Sequence, residues 1–177
     1  MRYDGSMPGV AAPARRDTDA RRTLGDGLIA GLFGYASLAI FFAVIGVLRG
    51  DSVFHIAGLL AAVLFRTAVP EGGTVDVGAI ATYTALHLLV LMCAGLLMAA
   101  LARLAARALQ GWYMALIAIV FGLIHVLAVP IWFDARVAAD LSVGLVMAGT
   151  TLATGVMVAY LWAASPEIRT AMHEPDE

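Results

Sequence analysis

An all-α, polytopic membrane fold is the class this sequence predicts, and three observations predict it. Four stretches of more than twenty residues carry no charge, and each is bounded by charged residues. That pattern is what a hydrocarbon layer roughly 30 Å thick asks of a helix rising about 1.5 Å per residue. Of the 177 residues, 62% are hydrophobic, and the mean hydropathy is +0.89. A soluble domain uses roughly 45–50% apolar residues and has no surface on which to hide such an excess. Finally, no carboxylate falls inside any of the four long runs. The expectation is therefore four transmembrane helices plus one short re-entrant or interfacial apolar helix, in a single domain over residues 24–166. Five spans are the alternative.

Residues 1–23 are polar and rich in Arg, Ala, Gly and Pro, and are expected to form a disordered cytoplasmic tail. Arg21-Arg22 ahead of an apolar run resembles a twin-arginine signal, but the run has the length of a span and no good small-residue cleavage site follows it. The first span lies between Asp26 and Arg49. It carries Gly27 and Gly31 at the GxxxG spacing that lets two helix backbones approach, with Gly34 one turn further on.

The next apolar piece, Val53 to Phe65, is bounded by Asp51 and Arg66. As a helix it would reach only about 20 Å, too short to cross unaided. Pro70, Gly72 and Gly73 then read as a loop returning the chain to the next span. Arg66, at the edge of this piece, is expected to snorkel to headgroups or to pair with an acid such as Glu71.

The second long run lies between Asp76 and Arg103, and the third between Arg107 and Asp134. A short turn bearing arginine joins them into a hairpin. Pro130 near the end of the third run either bends it or starts its exit, with Trp132 and Phe133 as interfacial anchors. The fourth run lies between Asp140 and Glu167. It offers Gly144, Ala148, Thr151, Gly155 and Ala159 at steps of three and four, a small-residue stripe down one face. Residues 167–177 form a short polar tail. Basic residues are all arginine and gather on the side of the N-terminus, so that terminus is expected in the cytoplasm; the chain is expected in a cell inner membrane.

Composition excludes some functions. With 11 basic residues against 13 acidic ones and no basic block, nucleic acid is not an expected partner. The single cysteine, Cys93, rules out an intrachain disulfide. No HExxH, GxSxG, phosphate-binding glycine loop or paired-cysteine site occurs, so catalysis is not expected. Asp134 and Asp140, bracketing a loop with Arg136, read as topology and solubility features.

The chemistry inside the apolar runs rests on two histidines, His87 and His125. Ionisable groups at such depth are costly, which makes them candidates for function. Neutral imidazole ligates haem iron, transition metals and pigment magnesium, and Tyr83 shares the helical face of His87. His55 starts the short apolar piece on the same side in the four-span arrangement. The plainer reading is a neutral histidine donating across a helix contact, with Tyr83, Thr82 and Thr84 as partners.

Three functions follow. The leading one is a non-catalytic accessory or packing subunit of a larger membrane complex. It would meet the lipid bilayer, other membrane subunits or a second copy of itself through its small-residue stripes. The alternative is a cofactor protein in which His87 and His125, with Tyr83 and His55 nearby, bind haem, a metal or a pigment. A small transporter or channel comes last, since nothing in the runs lines a polar path.

Overall fold

The computed structural model describes residues 13–66, 76–108, 120 and 141–166, with side chains from residue 19 and, in the second of these segments, up to residue 103. Four helices are found there: α1 (Pro13–Leu48), α2 (His55–Phe65), α3 (Val77–Ala108) and α4 (Val143–Ala164), with no strand among the described residues. Three of them, α1, α3 and α4, are long and apolar enough to cross a membrane, and α2 is not. The third apolar run, between Arg107 and Asp134, lies outside the described residues apart from Ala108 and Val120, and so do Pro130, Trp132 and His125.

The surfaces of the long helices carry the membrane reading further than their length does. The most apolar windows of α1, α3 and α4 have mean hydropathies of 2.3, 2.4 and 1.6, yet only 22%, 33% and 28% of their residues are buried. Water does not tolerate that much contiguous apolar surface, whereas acyl chains do.

α1 starts at Pro13, not near residue 24, so part of the segment expected to be a disordered tail is helical. Pro13 occupies the first helical position, where its fixed φ and missing N–H cost nothing. The alanines and arginines that follow are good helix formers. The extension also has something to dock on. Arg103 donates to the Asp19 carbonyl (2.7 Å) and to Thr23 Oγ (2.6 Å), and it pairs with Asp26 at 2.5 Å. α3 likewise runs past Arg103 to Ala108, because this arginine is held by α1 and need not end the helix.

The terminal signals are local. α1 closes with Gly50 at φ +83°, with Gly50 N–H bonded to Val47 O (3.0 Å) and Asp51 N–H to Gly46 O (2.9 Å). This is a Schellman ending, and it needs a residue tolerant of positive φ. Asp76 Oδ1 caps α3 by accepting from Ala79 N–H (2.9 Å), and Ser142 Oγ caps α4 by accepting from Leu145 N–H (3.3 Å). Within the spans, Ser37 and Thr82 return their hydroxyls to the carbonyls of Gly34 and Gly78 at 2.9 and 2.8 Å, so neither presents an unbonded donor to lipid.

α1 packs on both α3 and α4 and is antiparallel to each. Along α1, Asp26 meets Arg103, Gly27 meets Leu96, Gly31 meets Leu91 and Met92, and Tyr35 meets His87. Against α4, Phe33 meets Tyr160, Gly34 meets Met157, and Leu38 and Phe41 meet Gly149. The start of α1 and the ends of α3 and α4 thus share one side of the bundle. α2 lies at the other. Its Ile56 and Leu59 bury with Leu141 against Phe42 and Ile45 of α1 and Val146 of α4, and Gly58 faces Ile80 near the start of α3. Its C-cap, Arg66, turns left-handed at φ 54° with its N–H on the Ala62 and Val63 carbonyls.

Close backbone approach defines the α1–α3 contact. A Cβ on Gly27 would stand 2.6 Å from Leu96 Cα, one on Gly31 would stand 2.5 Å from Met92 Cα and press on Leu91 O, and one on Gly95 would run into Gly27 O. α4 uses a different face from the expected stripe. Gly149, Ala153 and Met157 are buried, whereas Gly144, Ala148, Thr151, Gly155 and Ala159 are exposed, and a Cβ on Gly155 would meet nothing within 4 Å. Two small-residue faces run side by side on this helix, and spacing alone does not say which one a neighbour takes.

Gly31→Val is therefore expected to destabilise the protein by about 2–3 kcal/mol or more, because the obstruction is backbone and not a movable side chain. Gly155→Val is expected to leave stability within about 0.5 kcal/mol. Thermal unfolding of both variants in mild detergent checks the pair.

Candidate functional site

A cavity of about 430 Å³ lies where α1, α2 and α3 meet. α1 contributes Tyr35, Leu38 and Phe42, α2 contributes Ile56 and Leu60, and α3 contributes Ile80, Tyr83 and His87. It exists because α2 is short. The helix lines only one end of the space between α1 and α3, and Tyr35, Tyr83 and His87 line it further along.

The polar side chains of the cavity come from α1 and α3. Tyr83 Oη and His87 Nδ1 are 2.8 Å apart, a hydrogen bond in which the tautomer of the imidazole decides which atom donates. The spacing of four along α3 brings them together, with the rings tilted at 62° and their centroids 5.3 Å apart. Tyr35 of α1 closes the cluster, its ring centroid 6.1 Å from that of His87. Thr84 lies on the same lining surface. His87 is ten residues into α3, about 15 Å along its axis from the first residue of the helix.

Of the residues that sequence reasoning singled out for ligand binding, the structure brings His87 and Tyr83 together and leaves His55 apart. His55 is exposed at the start of α2, and its neighbours Val53 and Phe54 line the cavity in its place. His125 lies outside the described residues. Among the described residues, no group of three His, Cys, Asp or Glu side chains is placed to hold a metal ion.

Tyr35 is the member that sequence reasoning missed. Its position in an apolar run, one residue after Gly34, was the available signal, but the rotation of α1 against α3 decides its neighbours. Arg103 was read only as a boundary. With Asp19, Arg22, Asp26 and Ser165 it lines a second, polar cavity of about 180 Å³ at the opposite end of the bundle. There its side chain ties α1 to α3, with both partners of the ion pair mostly buried. No family model, curated protein or solved structure matches the chain.

Removing the hydroxyl in Tyr83→Phe is expected to lower stability by about 1 kcal/mol, the worth of one neutral hydrogen bond, without unfolding the protein. Thermal unfolding beside the wild type reads the change, and the imidazole resonances of His87 are expected to shift with it.

Proposed function

We propose that this chain is a small helical inner-membrane protein with a non-catalytic role, which holds an apolar small molecule between α1, α2 and α3 within the bilayer. The observation that carries this reading is the cavity itself. Its volume falls in the roughly 300–1,000 Å³ range of small-molecule sites, its lining is apolar, and its few polar groups gather where α1 faces α3. A four-span arrangement accompanies the proposal. α3 ends on the side where α1 begins, and α4 starts on the opposite side, which supports assigning a return crossing to the uncharged run between Arg107 and Asp134. α2 then stays within one half of the bilayer.

The described arginines support a cytoplasmic N-terminus. Arg15, Arg16, Arg21, Arg22, Arg103 and Arg107 are on the side of the α1 start, against Arg49 and Arg66 on the other.

Mass spectrometry of an organic extract of the protein, purified in mild detergent from its native membrane, tests the ligand reading. A stoichiometric apolar molecule is expected, and it is expected to be lost in Ala57→Phe and in Ala43→Phe, which fill the cavity from α2 and α1. Extracts that match a detergent blank would remove the proposal. Haem, a pigment or a metal held through His87 and His125 is an alternative occupant, and a visible spectrum and metal analysis of the same preparation detect it.

A second reading is an accessory subunit that packs against a neighbour. The exposed stripe Gly144, Ala148 and Gly155 on α4 favours it, because small residues left open on a span are surfaces that another helix can approach closely. In a Cys93→Ser background, Gly155→Cys is expected to form disulfide or bismaleimide crosslinks in native membranes, to a second copy or to another subunit. Crosslinking no greater than at exposed Leu89→Cys would count against this reading.

A further inference from the structure

The cavity between α1, α2 and α3 has a more specific chemistry than an apolar void. Five of its lining residues carry rings: Tyr35, Phe42, Phe54, Tyr83 and His87. Rings arranged on several walls suit a flat ligand ring, which they meet by offset stacking or edge to face. No acidic or arginine side chain lines the space, so a charged ligand would enter without a counter-charge.

The hydrogen-bonding groups narrow the class further. Tyr83 and His87 are engaged with each other, whereas the Tyr35 hydroxyl, on the wall beside His87, has no hydrogen-bond partner among the described residues. A hydroxyl in apolar surroundings is costly to leave unbonded, and a ligand oxygen that accepts from it removes that cost. The space is open at one side. Ile40 and Phe54, 64% and 54% exposed, stand among its lining residues, so it opens onto an apolar part of the bundle's surface.

We propose that this cavity binds a lipid-soluble planar ring bearing a carbonyl group, the chemistry of a quinone, with the Tyr35 hydroxyl donating to the carbonyl oxygen. This rests on the ligand-binding reading above and names the class of ligand. The apolar tail of such a molecule would leave past Ile40 and Phe54 into the acyl chains, and the ring would lie against Tyr35, Tyr83 and His87.

Equilibrium binding of two probes to the full-length protein in detergent tests the assignment. One is decyl-benzoquinone, and the other is decylbenzene, which has the same six-membered ring and tail without the carbonyls. The quinone is expected to bind more tightly. Tyr35→Phe is expected to weaken quinone binding about fivefold, the effect of one neutral hydrogen bond, and to leave decylbenzene binding unchanged. Equal affinity for the two probes, or a quinone affinity that Tyr35→Phe does not alter, would overturn the quinone assignment while leaving an apolar site in place. Failure of both probes to bind, or binding that neither Ala57→Phe nor Ala43→Phe reduces, would overturn the ligand-binding reading itself. Gel filtration and thermal unfolding of each variant confirm that affinity is measured on folded protein.

Discussion

Everything else in this bundle depends on the contact at which α1 and α3 touch through their backbones. Helices in lipid gain little from hiding apolar side chains, because acyl chains solvate those side chains as well as a neighbouring helix does. What brings two of them together is dispersion between surfaces that fit closely and polar contacts that lipid cannot replace. Gly27, Gly31 and Gly95 supply the fit, since each sits where the partner's backbone leaves no room for a side chain. Arg103 supplies the polar contact, with three acceptors on successive turns of α1. One fixes the distance between the helices and the other fixes their register.

That register places the cavity. With Gly31 opposite Met92 and Asp26 opposite Arg103, Tyr35 arrives beside His87 one turn further along. Beyond this point Leu38 and Phe42 of α1 and Ile80 and Tyr83 of α3 line the cavity, together with Ile56 and Leu60 of α2. The ring cluster is therefore the place where a glycine-tight contact gives way to a wider groove. The ring cluster there is held on helices that a salt bridge and a backbone contact already lock.

Much of the architecture was legible in the sequence because the bilayer imposes a length and an absence of charge that can be counted. The limits of α4 and the shortness of α2 follow from charges at Asp51, Arg66, Asp140 and Glu167 and from Pro166. The helical start at Pro13 was hidden, since arginine and aspartate there resemble a solvated tail until the partner Arg103 is seen. Rotation about each helix axis was hidden as well. α4 carries Gly144, Ala148 and Gly155 on one face and Gly149, Ala153 and Met157 on another, and both satisfy the small-residue spacing. For the site, the pairing of Tyr83 with His87 follows from a separation of four on one helix, whereas Tyr35 joins them only through the packing of α1 on α3.

The ion pair between Asp26 and Arg103 joins residues 77 apart in the chain. A helix made first and packed upon by the later ones spends its synthesis without them, with an unpaired carboxylate at its edge and its small-residue faces covered by lipid alone. Its tightest neighbour, α3, arrives only after the shorter α2 has been laid down. The bundle is thus completed by its last contacts, and a chain interrupted before Arg103 would leave an apolar helix in the membrane with nothing to tell it which way to face.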